Sequence, residues 1–176
     1  MYIIPRMNIF YLSFIQKECA RMHVDKHVVK MVLESCQLLC TVHHLCPNPN
    51  SSYVPPYKKT HMNHPCSIWL RESAENYKWL VELALELCYE YTYRFSKGTV
   101  IKIHKCQPYI EELKNNIPNL PNTPFTQPRQ AMPEMYKGTD SILAYRDYYF
   151  FEKHSMLKWT QRETPVWIEE MRAVFE

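Results

Sequence analysis

The stretch DKHVVKMVLESCQLLCTVHHL, residues 25–45, reads as one long helix that is apolar almost all round. Five polar side chains break that pattern: His27, Lys30, Glu34, Gln37 and Thr41. At helical spacing they fall within about 80° of arc, flanked on both sides by Leu, Met or Val. Lining up an imidazole, an ammonium and a carboxylate on a mostly buried helix costs desolvation unless the groups satisfy one another or a ligand. The stripe is therefore either a helix edge that reaches water or the floor of a site.

Outward from this helix, Asn8 to Phe14 (NIFYLSF) is bulky and β-prone, which predicts a short strand or an extended segment on the core. A helical turn over Glu18 to His23 follows. Asn63-His64-Pro65 is a helix-start signal, with Pro suited to the first helical position. From Pro65 to about Phe95, the apolar residues Ile68, Trp69, Tyr77, Leu80, Val81, Ala84, Leu85 and Cys88 predict a second long helix packed on the first. A weaker helix is expected over Pro108 to Asn115, another from Asp140 to Leu157, and a short one at the end. Residues 46–63 and 117–138 read as long loops rich in Pro, Asn and Ser or in Pro and Gln. The expectation is one mainly α domain over residues 1–176, compact, with two long packed helices, a short extended N-terminal segment and residues 1–7 as an N-terminal extension.

The chain has 176 residues, 46% of them hydrophobic, enough for one core without staples. Only two Gly stand against 13 Pro, so a glycine-rich phosphate loop is excluded. Seven Cys, an odd number, lie mostly in helical apolar patterns and favour thiols in a reducing, intracellular compartment. The interrupted apolar run at the start supports neither secretion nor a membrane span. A net charge of +3 permits polyanion binding without demanding it.

Three sets of residues carry candidate chemistry. His27 and Glu34, two helical turns apart, point the same way about 10 Å from each other, with Lys30 between them as an ion-pair partner or an amine nucleophile. Cys40, His43, His44, Cys46, His61, His64 and Cys66 crowd the ends of the 46–63 loop, and zinc is the alternative they leave open. Neither end of that loop carries a CxxC or HxxxH pair, however, and the expectation is no cofactor. The third set alternates cations with rings, as phosphate neutralisation and base stacking require: Arg71, then Arg146, Lys158, Trp159 and Arg162. To it the proline-stiffened PFTQPRQAMP loop adds Gln127 and Arg129, and His64 at a helix start could join free amides in holding a phosphate.

The IFYL segment after Met7, the helix with His27 and Glu34, the second helix ending in EYTYRF and the terminal RETPVW resemble the bacteriophage endonuclease V type of pyrimidine dimer DNA glycosylase. DKHVVKM, NHPC and PFTQP resemble uncharacterised proteins of phages and large DNA viruses more closely. The resemblance implies a metal-free helical glycosylase with AP lyase activity on damaged double-stranded DNA. Its nucleophile is an α-amine exposed by loss of the initiator Met, assisted by a helix glutamate. Glu34 matches that glutamate, His27 matches a DNA-facing histidine with Lys26 beside it, and the amine maps to Asn8.

Here the chain departs from the pattern, because Met1 to Arg6 precede Met7. Either Met7 is the start, or the extension is removed, or the lyase chemistry is lost or moved to Lys26 or Lys30. A monomer is assumed. The alternative readings are a nucleotide hydrolase or transferase, with Lys30, Arg71 and Arg146 on phosphate, and a non-enzymatic viral nucleic-acid-binding or zinc-stabilised protein.

Overall fold

The computed structural model describes residues 7–176, so Met1 to Arg6, most of the expected extension, lie outside the described residues. The described chain is mainly α: α1 (Gln16–Met22), α2 (Asp25–Leu45), α3 (Pro65–Glu72), α4 (Ala74–Phe95), α5 (Gln107–Asn115), α6 (Ser141–Glu152) and α7 (Val166–Phe175). No described helix is long and apolar enough to cross a membrane.

The two long helices, α2 and α4, pack along one another, and α1, α3 and α5 also lie against α4. The faces between them are apolar at helical spacing, as the sequence predicts, with Val28, Val32, Leu38, Leu39, Leu80 and Ala84 fully buried. Each large apolar side chain enclosed in this way contributes roughly 1.5–3 kcal/mol.

Two expectations need correction. The helix predicted from Pro65 to Phe95 is two helices, broken at Ser73, whose backbone is extended (φ −158°, ψ 140°). Ser73 starts α4 by accepting the Glu75 N–H on its hydroxyl and donating that hydroxyl's proton to the Thr123 carbonyl, while the Ala74 N–H goes to Pro121. The 117–138 loop thus takes the Ala74 amide and the Ser73 hydroxyl proton, and Ser73 itself takes the Glu75 amide that a continuous helix would have used internally. The helix predicted from Asp140 to Leu157 starts with Asp140 capping the Leu143 N–H, but it ends at Glu152 and gives way to a 3-10 turn over His154–Met156.

Met7 to Leu12 are all buried and form neither helix nor strand pairing among the described residues, and the Leu12 N–H turns back to the Phe10 carbonyl, so the strand alternative does not hold. Side chains hold this segment in place: Phe10 stacks on His27 with ring centroids 4.5 Å apart and meets Tyr149 edge-on at 5.1 Å. That packing sets Asn8 against the polar stripe of α2.

Candidate active site

Asn8 is 4% exposed and held on every side. Its amide Nδ2 donates to the Ala131 carbonyl at 2.9 Å, and its Oδ1 accepts from the Ile9 N–H at 2.8 Å. The Tyr145 hydroxyl lies 3.0 Å from that Oδ1 and 2.7 Å from the Arg129 carbonyl, and it accepts the Ala131 N–H at 3.2 Å. The proline-stiffened loop is thereby fastened directly onto residue 8.

The backbone nitrogen of Asn8 donates to Glu34 Oε2 at 3.3 Å, while Lys30 Nζ sits 3.1 Å from Glu34 Oε1. Each carboxylate oxygen therefore has its own partner. Burial pushes the Glu34 carboxyl above its ordinary range, opposed by the Lys30 hydrogen bond and charge and by the Asn8 N–H. A buried carboxyl so placed can hold or release a proton close to the Asn8 nitrogen.

One turn N-terminal of Lys30, His27 is also buried. The Tyr149 hydroxyl accepts the Val24 N–H at 2.9 Å, and among the described residues His27 Nδ1, also 2.9 Å away, is the one acceptor within reach of its own proton. The ring is therefore the tautomer with its proton on Nε2. Burial, then the charges of His23, Lys153 and Lys30, lower its pKa to about 3, so the ring is neutral.

Across from the stripe, His64 caps α3 by accepting the Cys66 N–H on Nδ1 at 3.1 Å, and its Nε2 is buried without a partner among the described residues. The Met7 carbonyl lies near enough to favour its charged form, against the larger effect of burial. His61, in the left-handed region at φ 48°, is close enough to Glu34 to lower its pKa. Its loop is tied to the far end of the stripe, because Thr41 donates its hydroxyl to the Thr60 carbonyl and accepts the Thr60 N–H, both at 3.0 Å. Burial raises the Cys66 thiol beside Asn8 to about 12, so it stays protonated.

Asn8, Lys30 and Glu34 thus come together, with His64 beside the Met7 carbonyl, His27 one turn before Lys30 on α2 and exposed Lys26 next to it. Gln127 and Arg129 line an open cleft of about 520 Å³ beside the same loop. There Gln127 accepts the Ser141 N–H at 2.8 Å and Arg129 pairs with Glu72. The other cation and ring positions do not join this cluster. Trp159 is buried and donates to the Met22 carbonyl, which removes its ring as a stacking surface. Arg162 is committed to Glu90 at 2.6 Å and to the Tyr93 ring. Arg146 donates to the Leu12 carbonyl and lies over Trp167, while Lys158 is exposed and its carbonyl accepts the Asp25 N–H. Arg71 is half-buried at the end of α3, with Nη1 unpartnered among the described residues, and lies close enough to lower the Cys46 thiol.

The residues of the zinc reading are otherwise employed: His43 bonds Tyr77, His44 the Tyr57 carbonyl and His61 the Thr60 hydroxyl. Among the described residues no group of three or more His, Cys, Asp or Glu could hold a metal ion.

Lys153 belongs to the same run of alternating cations and rings that the sequence offers for phosphate and base contact. It is half-buried just after α6, with Nζ 5.1 Å from the Tyr148 ring centroid and 5.9 Å from that of Phe10, the ring that stacks on His27. Its chemistry was hidden in an ordinary run of helical Tyr and Lys, and only the tertiary approach of Phe10 distinguishes it.

No family model, curated protein or solved structure matches this chain.

Proposed function

We propose that the protein is a DNA glycosylase with AP lyase activity on damaged double-stranded DNA, working through an amine beside Glu34. The observation that carries this reading is the 3.3 Å separation between the Asn8 nitrogen and Glu34 Oε2. In the 176-residue chain that nitrogen is a peptide amide; in a chain beginning at Asn8 it is an α-amine, with a pKa near 8 and substantially neutral at physiological pH.

The amine attacks the sugar C1′, the bond from C1′ to the damaged base breaks, and the base leaves with a proton. Opening of the sugar ring gives an imine between the amine nitrogen and C1′. Loss of a C2′ proton then breaks the C3′–O bond and releases the phosphate. Glu34, raised by burial, supplies and accepts protons beside the reacting nitrogen. Lys30, Lys26 and the Nε2–H of His27 offer donors to the DNA backbone around it.

Strand cleavage of an abasic duplex by protein beginning at Asn8 tests the reading. Glu34→Gln should slow it by about a hundredfold or more. An undiminished rate contradicts the role given to Glu34.

A further inference from the structure

The turn that follows α4 carries its apolar side chains outward. Val100, Ile101 and Ile103 are 62%, 71% and 62% exposed, although Val and Ile are among the residues most often buried. The backbone beneath them is fastened throughout. Lys97 and Val100 bond each other in both directions, at 3.1 and 2.9 Å, across Gly98, whose φ of 57° closes the turn. The Lys102 N–H goes to Ser96 Oγ at 2.9 Å. Buried His104 then anchors the returning chain: its Nδ1 accepts the Cys106 N–H at 3.1 Å, its Nε2–H donates to the Val29 carbonyl of α2 at 3.1 Å, and its ring meets Tyr91 edge-on at 5.1 Å. The aliphatic tip is thus formed before any partner arrives, so ordering it costs a partner little.

Charge of one sign surrounds the tip. From Tyr91 to Ile110 the chain has no Asp or Glu. Lys97, Lys102 and Lys105 are exposed, and none has a carboxylate within ion-pair distance among the described residues. Cations set around aliphatic side chains complement a surface that is anionic outside and apolar beneath, as an anionic phospholipid leaflet is. A DNA duplex would meet the lysines with phosphate, but residues 97–103 hold no aromatic ring or Arg to stack on its bases. A second copy of the turn would set lysine against lysine. We propose that the turn over residues 97–103 docks the protein on anionic phospholipid, with Val100, Ile101 and Ile103 entering the acyl boundary and Lys97, Lys102 and Lys105 meeting the headgroups. Attachment of this kind is reversible and needs both signals, a short apolar insertion and the lysine charge. No residue of the Glu34 site takes part.

Sedimentation of the 176-residue chain with vesicles at low salt tests the proposal. Vesicles of equal parts phosphatidylserine and phosphatidylcholine should bind it about tenfold or more tightly than phosphatidylcholine alone, and added salt should release it. The double variant Ile101→Ser with Ile103→Ser, and separately Lys102→Glu, alter only exposed side chains and should melt with the parent protein. Each should lose about tenfold or more of the affinity for the anionic vesicles. Equal binding to the two kinds of vesicle, or undiminished binding by the serine variant, overturns the proposal. So does a parent chain that ignores both vesicles yet binds duplex DNA, or dimerises, through a contact that the serine variant loses.

Discussion

Tyr149 hands its hydroxyl proton to His27 Nδ1 across 2.9 Å while accepting the Val24 N–H, so a residue of α6 decides which nitrogen of an α2 imidazole carries hydrogen. Tyr149→Phe removes both bonds inside a fully buried contact. It should cost about 1–3 kcal/mol in urea unfolding, because the Val24 N–H and His27 Nδ1 are left without their partner. Nitrogen-15 shifts of His27 should show the Nε2–H tautomer in the parent protein. An Nδ1–H tautomer there contradicts the orientation given to the ring.

Buried neutral histidines make stability depend on pH. Burial lowers His23 to about 4, His27 to about 3 and His43 to about 4, against an ordinary value of 6.5. Above that value both states are neutral and these groups contribute no slope. Below it the unfolded chain takes up protons that the native imidazoles refuse. Stability should therefore fall as pH drops from about 6.5 toward 4, by up to about 1.4 kcal/mol per pH unit for each histidine. Glu34 acts in the opposite sense, since its raised folded pKa lets the native state bind a proton first just above the ordinary carboxylate range. Urea midpoints across this window should decline, and a flat profile contradicts the burial of these rings as neutral groups.

Arg94 is a fully buried cation, paired with Glu90 at 2.9 Å and Asp25 at 3.2 Å and donating to the carbonyls of Arg21 and His23. Arg94→Met strips Glu90 and Asp25 of their shared buried cation, leaving Glu90 to the more exposed Arg162 and Arg21 and Asp25 to Thr160, and should cost about 3–5 kcal/mol. Arg172, paired with Glu169 on the surface of α7, provides the contrast: Arg172→Ala should change stability by less than about 1 kcal/mol. Equal effects in thermal or urea unfolding would contradict the structural role of the Arg94 network.

What the sequence discloses here follows from what each element depends on. The bounds of α2 were legible because its apolar period is strong. The pairing of Lys30 with Glu34 was legible because both lie on one helix, where spacing alone brings them together. The break at Ser73 was not, because good helix formers surround it and the groups that stabilise it, Thr123 and Pro121, are some fifty residues away. The resemblance pointed to Asn8 and Glu34, but their distance depends on Phe10 docking on His27. Arg162 and Trp159 read as DNA-facing because a cation or ring looks alike in sequence whether it meets a phosphate or a buried carboxylate. Thr41, the last residue of the stripe, holds the Thr60 backbone, so Thr41→Val should speed amide exchange at Thr60 and leave α2 protected.

An amine at position 8 that works against Glu34 is open to covalent trapping. Protein beginning at Asn8 is mixed with an abasic duplex and borohydride, and the adduct is located by mass mapping. The duplex adduct should form on the Asn8 nitrogen, and much more slowly with Glu34→Gln. A folded protein whose adduct maps to another amine, or that yields no adduct at all, would contradict the role of that amine.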